Sequence, residues 1–344
     1  MAFTRSPLRL TSNLSPLESP RAGEVSLRVI PSASGIVARA QQLLAAALAS
    51  RNDDAVLINC DPFLAHGFCL LSRFIPGYRP KLLYADVNYN LPRTISERMR
   101  ARIKRWLLQR VDRFLLLQRE FGGYTDWYGI EADRVSHVPF KVNSLELLET
   151  LEPSEGDYIF SGGVTLRDWG TLAAATRELN LPLVIGIPED EELRRSGVRT
   201  RLPDLSTFGS RTTLVRHTGD PRSWLSIAAG AKFVVLAIDP DSLNPSGVST
   251  YLSCLALGKC LVISRGPATE GLLDEETAVI VPPADPEALR TAISRVSEDE
   301  VLRRTLARNG QAYALALGGS DRLHTDLLRS VELAVADHAD SAGS

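Results

Sequence analysis

The sequence has few cysteines, no long apolar run and no large excess of charge of either sign. Its four cysteines, Cys60, Cys69, Cys254 and Cys260, form no CxxC pair, so we expect buried free thiols rather than disulfides or a zinc site. No apolar run approaches the roughly 18 residues of a membrane-spanning helix, and a net charge of −2 gives no field that selects nucleic acid. These absences indicate a cytoplasmic protein, with peripheral contact at the inner face of a membrane left open.

What the sequence does contain is an alternation of strands and helices over most of its 344 residues. Short apolar runs followed by helical periodicity are typical of α/β proteins with parallel sheets and crossover helices. We predict two such domains, over 25–143 and 157–318. Residues 1–24, rich in Ser, Pro and Arg, are interpreted as a partly ordered lead-in, and the acidic segment 144–156 as a linker. A helix within 319–338 ends the chain.

The stretch Asn244–Val262 is interpreted as a small-residue loop, then a helix, then a buried strand. Ser246 and Gly247 provide turn chemistry immediately before the helix. Free N–H groups and the helix dipole both favour an anion at such a helix N-terminus. An ordinary loop–helix–strand connection is the alternative on spacing alone.

The segment 93–119 is the one strongly basic part of the chain, with apolar residues around Trp106 at its centre. Two interpretations stay open. It is either a surface helix with a solvated basic face or a site for anionic lipid head groups or a phosphorylated acceptor.

Several motifs together resemble the family-4 retaining glycosyltransferases. In the second half they are SGGVTLRDWGTL, SGVSTYLSCLALGKCLVIS and TAVIVPPADPEALRTAI, and in the first half YADVNYNLPR and RVDRFLLL. The resemblance covers about residues 80–315 in order. It implies a GT-B fold, with two Rossmann-like domains facing a central cleft that holds a nucleotide-sugar. It also implies that the C-terminal helix, 319–338, packs back on the first domain.

The resemblance also implies roles for residues of the second domain. The loop Ser246–Thr250 matches the backbone that holds the donor diphosphate, and Arg167 lies near the family's basic residue for the β-phosphate. The alternative for Arg167 is a surface residue paired with Asp168. With the substitutes discussed below for the family's glutamates, the candidate donor-binding residues are Ser161, Gly162, Gly163, Asp239, Asp241, Asn244, Ser246, Gly247, Val248, Ser249, Thr250 and Ser253.

One departure concerns the pair of glutamates that this family usually carries eight residues apart. Pro245 and Ser253 occupy those positions here, so the usual contacts to the sugar and to the ribose are weakened or moved. Asp239, Asp241 and Asn244 are candidates to contact the sugar instead. Asp239 and Asp241 have the form of a metal-binding Asp-x-Asp motif, but this fold generally works without metal, so no metal or other cofactor is assigned.

In the first domain, Asp86, Asn88, Asn90 and Arg93 match the region where an acceptor or a polar catalytic group is expected. Asp86 follows a predicted strand and would orient an acceptor hydroxyl. A loop carboxylate that caps the next turn is the equally good alternative.

The function implied by the resemblance is transfer of a sugar from a nucleotide-diphosphate sugar to a saccharide or lipid-linked acceptor, with retention, in glycan or exopolysaccharide biosynthesis. The missing glutamates motivate a second hypothesis, a non-catalytic glycosyltransferase-like subunit that binds a partner or a glycan. A nucleotide-sugar epimerase on the same fold is a third, but its acid and base residues are not found in the sequence.

Overall fold

Two parallel sheets of six strands each organise the chain. The computed structural model describes residues 7–14, 22–191, 193 and 203–342. The chain divides into two compact units. Unit 1 comprises residues 1–117, 121–139 and 320–344, and unit 2 comprises residues 118–120 and 140–319.

The sheet of unit 1 has the strand order β2-β1-β3-β4-β5-β6, and every neighbouring pair is parallel. Its strands are β1 (Leu8–Ser12), β2 (Val25–Val29), β3 (Ala55–Asn59), β4 (Lys81–Ala85), β5 (Arg113–Leu116) and β6 (Val135–His137). The central strands are short apolar runs buried on both faces, as expected for a parallel sheet covered by helices.

The helices of unit 1 are α1 (Ile36–Ala49), α2 (Pro62–Leu71), α3 (Ile95–Leu108), α4 (Gly122–Tyr128) and α11 (Ser320–Ala342). Local chemistry sets their starts. Asp61 accepts a hydrogen bond from the N–H of Leu64 at the start of α2, and Thr94 and Glu97 form a capping box on α3. Helices α1, α2 and α3 contact one another in sequence, and α11 contacts β3, β4 and β5.

Helix α11 contributes Leu327, Leu328 and Val331 to an apolar core with Leu10 and Leu57 of the sheet. This terminal helix therefore belongs to unit 1 although it follows the whole of unit 2 in the chain.

Strand β1 corrects the interpretation of residues 1–24 as a partly ordered lead-in. Leu8–Ser12 pairs with β2 on one side and with β3 on the other, and Leu10, Thr11 and Ser12 are fully buried. The Thr11 hydroxyl donates to Asp53 at 2.6 Å, so this buried polar group is satisfied inside the protein. The rest of the predicted lead-in, apart from 7, 13–14 and 22–24, lies outside the described residues.

The sheet of unit 2 has the order β12-β11-β10-β7-β8-β9 and is also parallel throughout. Its strands are β7 (Ile159–Gly162), β8 (Leu183–Pro188), β9 (Thr212–His217), β10 (Phe233–Leu236), β11 (Leu261–Ser264) and β12 (Val279–Val281). The helices are α5 (Leu145–Leu148), α6 (Trp169–Thr176), α7 (Pro221–Ala229), α8 (Val248–Ala256), α9 (Pro286–Glu298) and α10 (Glu300–Leu317).

The segment 144–156 does not behave as the predicted linker but packs within unit 2. Leu148 joins the apolar core around α8, and the buried Lys259 ammonium donates to the carbonyl of Ser154 at 2.6 Å. The leucines of this acidic segment provide an apolar face, which composition alone does not reveal. Among the helices of the described ranges, none combines the length and the apolar character that a membrane crossing requires.

The packing of α11 on the first sheet gives a direct stability prediction. Replacing the fully buried Leu328 by alanine should lower the free energy of unfolding by about 2–5 kcal/mol, because it leaves a cavity. The matched change Leu333→Ala, at a position that is 58% exposed on the same helix, should cost less than about 0.5 kcal/mol. Urea titration followed by circular dichroism measures both, and equal costs would contradict the described packing.

Candidate functional site

The turn after β7 leaves room for a neighbouring guanidinium. Gly163 has φ +88, a left-handed conformation that favours glycine. A Cβ at this position would clash with the guanidinium of Arg167 and would lie 3.1 Å from Oγ1 of Thr250. The absent side chain therefore allows Arg167 and the start of α8 to approach the strand end closely.

Arg167 is 8% exposed, and backbone carbonyls hold its guanidinium. Its Nε donates to Gly162 O at 2.8 Å, Nη1 to Thr165 O at 2.9 Å, and Nη2 to Thr250 Oγ1 at 3.2 Å. Burial lowers the pKa of this guanidinium to about 10, so it stays charged at neutral pH. Within the described part of the chain, no carboxylate forms an ion pair with it.

Asp168 does not pair with Arg167, which was the alternative that the sequence left open. Its carboxylate caps α6 instead, accepting from the N–H of Thr171 at 2.9 Å and from its hydroxyl at 2.6 Å. Arg167 is therefore a buried cation without a matching anion, an arrangement that is costly unless a ligand completes it.

The N-terminus of α8 adds a second source of positive potential beside Arg167. Gly247 precedes the helix with φ +96, and no side chain caps the first turn. The first N–H groups of any helix lack intrahelical partners, and the dipole favours an anion at this end. Thr250, in the first turn, accepts the hydrogen bond from Arg167. The structure therefore brings together Gly163, Arg167 and the predicted diphosphate loop Ser246–Thr250.

The loop before α8 is held by a network of buried hydroxyl and amide groups. The Ser242 hydroxyl donates to Asn244 O at 2.9 Å, and the Ser246 hydroxyl donates to Asn244 Oδ1. Asp239 Oδ1 accepts from the N–H of Asp241 at 2.9 Å, which closes an Asx turn. Of the predicted sugar ligands, Asn244 is buried and Asp241 is exposed, so the two differ in access. Ser246, which belongs to the predicted diphosphate loop, is also buried.

The burial of Ser253 argues against its predicted role as a donor-binding residue, which stays a prediction. It is fully buried, and its hydroxyl donates to Ser249 O at 3.1 Å, one helical turn earlier. A serine side chain is too short to extend out of this position as a glutamate would.

Of three further residues of the predicted donor set, Ser161 and Val248 are buried in unit 2 and Ser249 is partly buried. Ser161 is fully buried, and its hydroxyl has no hydrogen-bond partner among the described residues. Val248 is 8% exposed and packs in the core around α8. The Ser249 hydroxyl accepts from Asn143 Nδ2 at 2.6 Å, a contact that no sequence signal indicated.

At the carboxyl edge of the first sheet, Asp86 and Asn88 lie together with Cys60. Asn88 Nδ2 donates to Asp86 Oδ1 at 3.1 Å and lies 3.5 Å from Cys60 Sγ. Cys60 and Asp86 follow neighbouring strands and both have positive φ, 49 and 47. Burial raises the pKa of Asp86, while hydrogen bonds from Cys60 and Asn88 lower it by less.

Cys60 is exposed, in contrast to the expected buried thiol, because it lies just past the end of β3. Although the residue as a whole is exposed, surrounding atoms partly shield its sulfur from water. This shielding and the nearby Asp86 raise the pKa of the thiol to about 11, so the thiol is neutral at physiological pH. The other three cysteines are buried as predicted.

Asn90 and Arg93, the other predicted acceptor residues, each bond to a neighbouring helix. The carbonyl of Asn90 accepts from the Tyr128 hydroxyl at 2.6 Å. The N–H of Arg93 donates to Glu97 at 2.9 Å as part of the α3 cap, and its side chain is exposed.

An aromatic cluster that the sequence did not reveal fixes the loop after Asp86. His66 Nε2 lies 2.7 Å from the Tyr89 hydroxyl, and the Lys104 ammonium lies 4.6 Å from the centre of the Tyr89 ring. Tyr128 packs on the same ring with centroids 4.5 Å apart. These contacts position the segment that carries Asn88 and Asn90.

Comparison with known proteins gave structural matches alone. No protein-family model matches the chain, and no curated protein sequence matches it. Sucrose-phosphate synthase from Thermosynechococcus elongatus superposes with a TM-score of 0.65 at 17% identity, covering 92% of this chain and 84% of that one. Anabaena HepE in complex with UDP-glucose gives 0.65 at 12% identity, covering 94% and 99%. The UDP-forming trehalose-phosphate synthase of Burkholderia xenovorans gives 0.59 at 15% identity, covering 85% and 75%.

The chain has the GT-B fold. Its two Rossmann-like sheets match those of the glycosyltransferases named above, so the predicted fold class is confirmed. At these identities the match concerns the fold, and membership of family 4 stays a prediction.

Gly163 provides a test of the contact with Arg167. Gly163→Ala should lower the free energy of unfolding by about 2–4 kcal/mol, about half from the left-handed backbone and half from the clash. Gly77→Ala is the matched control, because Gly77 has φ +70 and nothing within 4 Å of its added Cβ. Urea unfolding measures both variants, and equal costs would rule out the close approach.

The position of His66 predicts a dependence of stability on pH. Burial first, and then Lys104, lower the pKa of His66 from 6.5 to about 4. Between pH 6.5 and pH 4 this histidine is protonated in the unfolded state but not in the folded state. The free energy of unfolding therefore falls as the pH drops through this window. His66→Gln should lose less stability from pH 6.5 to pH 4 than the wild type does. At pH 8 the histidine and the glutamine are both neutral, so the stability measured at that pH is the reference. Parallel curves of stability against pH for the wild type and His66→Gln would contradict the burial of His66.

Proposed function

We propose that this protein is a glycosyltransferase that moves a sugar from a nucleoside-diphosphate sugar to a saccharide or lipid-linked acceptor. The observation that carries the proposal is Arg167, a buried cation without a carboxylate partner, beside the uncapped N-terminus of α8. A diphosphate would complete this site by supplying the missing negative charge.

The proposed chemistry follows from where negative charge grows during transfer. As the bond between sugar and diphosphate breaks, charge accumulates on the phosphate oxygens of the leaving group. Arg167 and the N–H groups of α8 would stabilise that charge more in the transition state than in the bound donor. The resemblance to family 4 supports a retaining reaction, with no protein nucleophile and no bound metal invoked.

The donor is proposed to be a uridine diphosphate sugar, by analogy with HepE in complex with UDP-glucose and the UDP-forming trehalose-phosphate synthase. Asp239, Asp241 and Asn244 are the proposed contacts to the sugar. The buried Ser253 is not part of this proposal, so the ribose would bind through other groups.

On unit 1, we propose that Asp86 and Asn88 orient the acceptor hydroxyl, and that Asn90 and Arg93 bind other parts of the acceptor. The raised pKa of Asp86 suits a group that shares a proton with a hydroxyl. A role in polysaccharide biosynthesis and a cytoplasmic location, with peripheral membrane contact through 93–119, complete the proposal.

The second candidate is a non-catalytic subunit of the same fold, favoured by Pro245 and the buried Ser253 at the positions of the family's glutamates. Calorimetric titration with UDP, GDP and ADP, followed by a donor-hydrolysis screen across nucleotide-sugars, separates the two. Binding with turnover supports the enzyme, whereas no binding of any nucleotide supports the subunit.

Replacing Arg167 tests the proposed mechanism. Arg167→Lys keeps a positive charge but loses the three-way donor geometry, so UDP should bind at least about tenfold more weakly. Turnover should fall by about 10²–10³-fold, the usual effect of losing one group that stabilises developing charge.

Arg177→Gln is the matched control, because Arg177 also donates through Nε and Nη2 to a backbone carbonyl, that of Thr207, but is exposed. It should bind UDP as the wild type does. Wild-type affinity and turnover in a folded Arg167→Lys protein, checked by circular dichroism, would remove Arg167 from the mechanism.

A further inference from the structure

The exposed large apolar side chains of the described residues concentrate on one layer of unit 1. Two thirds of them lie on α1, α2, α3 or the turn after α2, and we call this surface the α1–α3 face. Its exposed apolar residues are Ile36, Val37, Leu44, Leu48, Leu70, Phe74, Ile95, Met99, Ile103 and Trp106. Because α1, α2 and α3 contact one another in order, these side chains lie on adjoining helices.

On α3 the apolar residues form one outward stripe. At about 100° per residue, Ile95, Met99, Ile103 and Trp106 fall within an arc of roughly 80°. The buried Ala101 and Leu108 fall on the opposite side of the helix, toward the sheet. This helix therefore has two apolar faces, and the outer one is 48–82% exposed at these four positions.

Basic residues flank the outer stripe of α3. The helix carries Arg98, Arg100, Arg102, Lys104 and Arg105 against the single acidic residue Glu97, which is engaged in the cap. By the same geometry, Arg98, Arg102 and Arg105 lie on one side of the stripe and Arg100 on the other. The Lys104 ammonium is instead engaged with the Tyr89 ring. The whole chain has a net charge of −2, so this local excess of positive charge is a property of the α1–α3 face.

Helices α1 and α2 extend the apolar part of the surface and contain no acidic residue. The outward positions of α1 include Val37, Leu44 and Leu48, which are 68%, 48% and 51% exposed. The one charged residue of α1, Arg39, is paired with Asp61 at 2.8 Å.

We propose that the α1–α3 face binds the interfacial region of a lipid bilayer that contains anionic lipid. Exposed aliphatic and Trp side chains flanked by Arg and Lys fit the boundary between acyl chains and anionic head groups. A nucleic acid would use the positive charge but would leave the aliphatic stripe exposed to water. A second copy of the chain would bring the arginines of two α3 helices close together, which like-charge repulsion disfavours.

The α1–α3 face extends the contact predicted for 93–119 to α1 and α2, and its helices have a defined orientation within unit 1. In a parallel sheet the crossover helices begin at the carboxyl edge, so Ile36 and Ile95 lie at the same edge as Asp86 and Asn88. The bilayer would then lie next to the edge where a lipid-linked acceptor is proposed to bind. Membrane contact through 93–119 is part of the proposed function, which this surface deepens, but binding to vesicles does not depend on sugar transfer.

Vesicle binding tests the surface without any donor or acceptor, so its result is independent of transfer activity. The full chain should co-sediment with vesicles of phosphatidylcholine mixed with phosphatidylglycerol, and much less with phosphatidylcholine alone. The pair Arg98→Gln and Arg102→Gln should weaken partitioning by about thirtyfold, from the usual effect of two basic residues near an anionic surface. Quenching of Trp fluorescence by brominated lipid should be largely lost in Trp106→Phe.

Matched controls separate the α1–α3 face from general surface effects. The pair Arg304→Gln and Arg322→Gln removes the same charge at positions 67% and 63% exposed elsewhere, and should keep wild-type binding. The apolar pair Leu44→Ser and Ile103→Ser should lose binding, whereas Val301→Ser and Leu333→Ser, also at exposed positions, should not.

Three results would overturn the proposal. The first is failure of the wild type to bind the anionic vesicles. The second is equal behaviour of a test pair and its control pair. The third is a dimer in light scattering that dissociates in the Leu44→Ser and Ile103→Ser protein, since that would make this face an interface between copies.

Discussion

The buried guanidinium of Arg167 is the constraint on which the candidate donor site depends. Removing a cation from water without a carboxylate partner is unfavourable, and here two backbone carbonyls and the Thr250 hydroxyl only partly offset the cost. Gly163 must lack a side chain for this arrangement to exist. The strand end, the arginine and the start of α8 therefore form one arrangement with an unmet preference for negative charge.

The parts of this arrangement that are local in sequence could be predicted. Helix α8, the loop before it and the Gly-rich turn after β7 could each be predicted from apolar periodicity and turn residues. These signals act over only a few residues. The ligation of Arg167 could not be predicted, because its partners Gly162 and Thr250 come from two different elements. The burial of Ser253 could not be predicted for the same reason, because it depends on how α8 packs and not on the neighbouring sequence.

Tertiary pairing also explains the errors at the level of the fold. Leu8–Ser12 is too short and too mixed to be recognised as a strand, yet it lies between β2 and β3 in the sheet. The segment 144–156 has the composition of a linker, but its leucines pack against unit 2. On α3 the sequence revealed the basic charge, whereas the outward apolar stripe became evident only when the core-facing side of the helix was known.

The central claim is that Arg167 and the N-terminus of α8 form a diphosphate site. The most direct measurement is a crystal structure of the protein with UDP bound. A β-phosphate oxygen should lie within about 3 Å of the Arg167 guanidinium and of a backbone N–H in the first turn of α8. A diphosphate bound elsewhere on the protein, with Arg167 still held by Gly162, Thr165 and Thr250 alone, would contradict it.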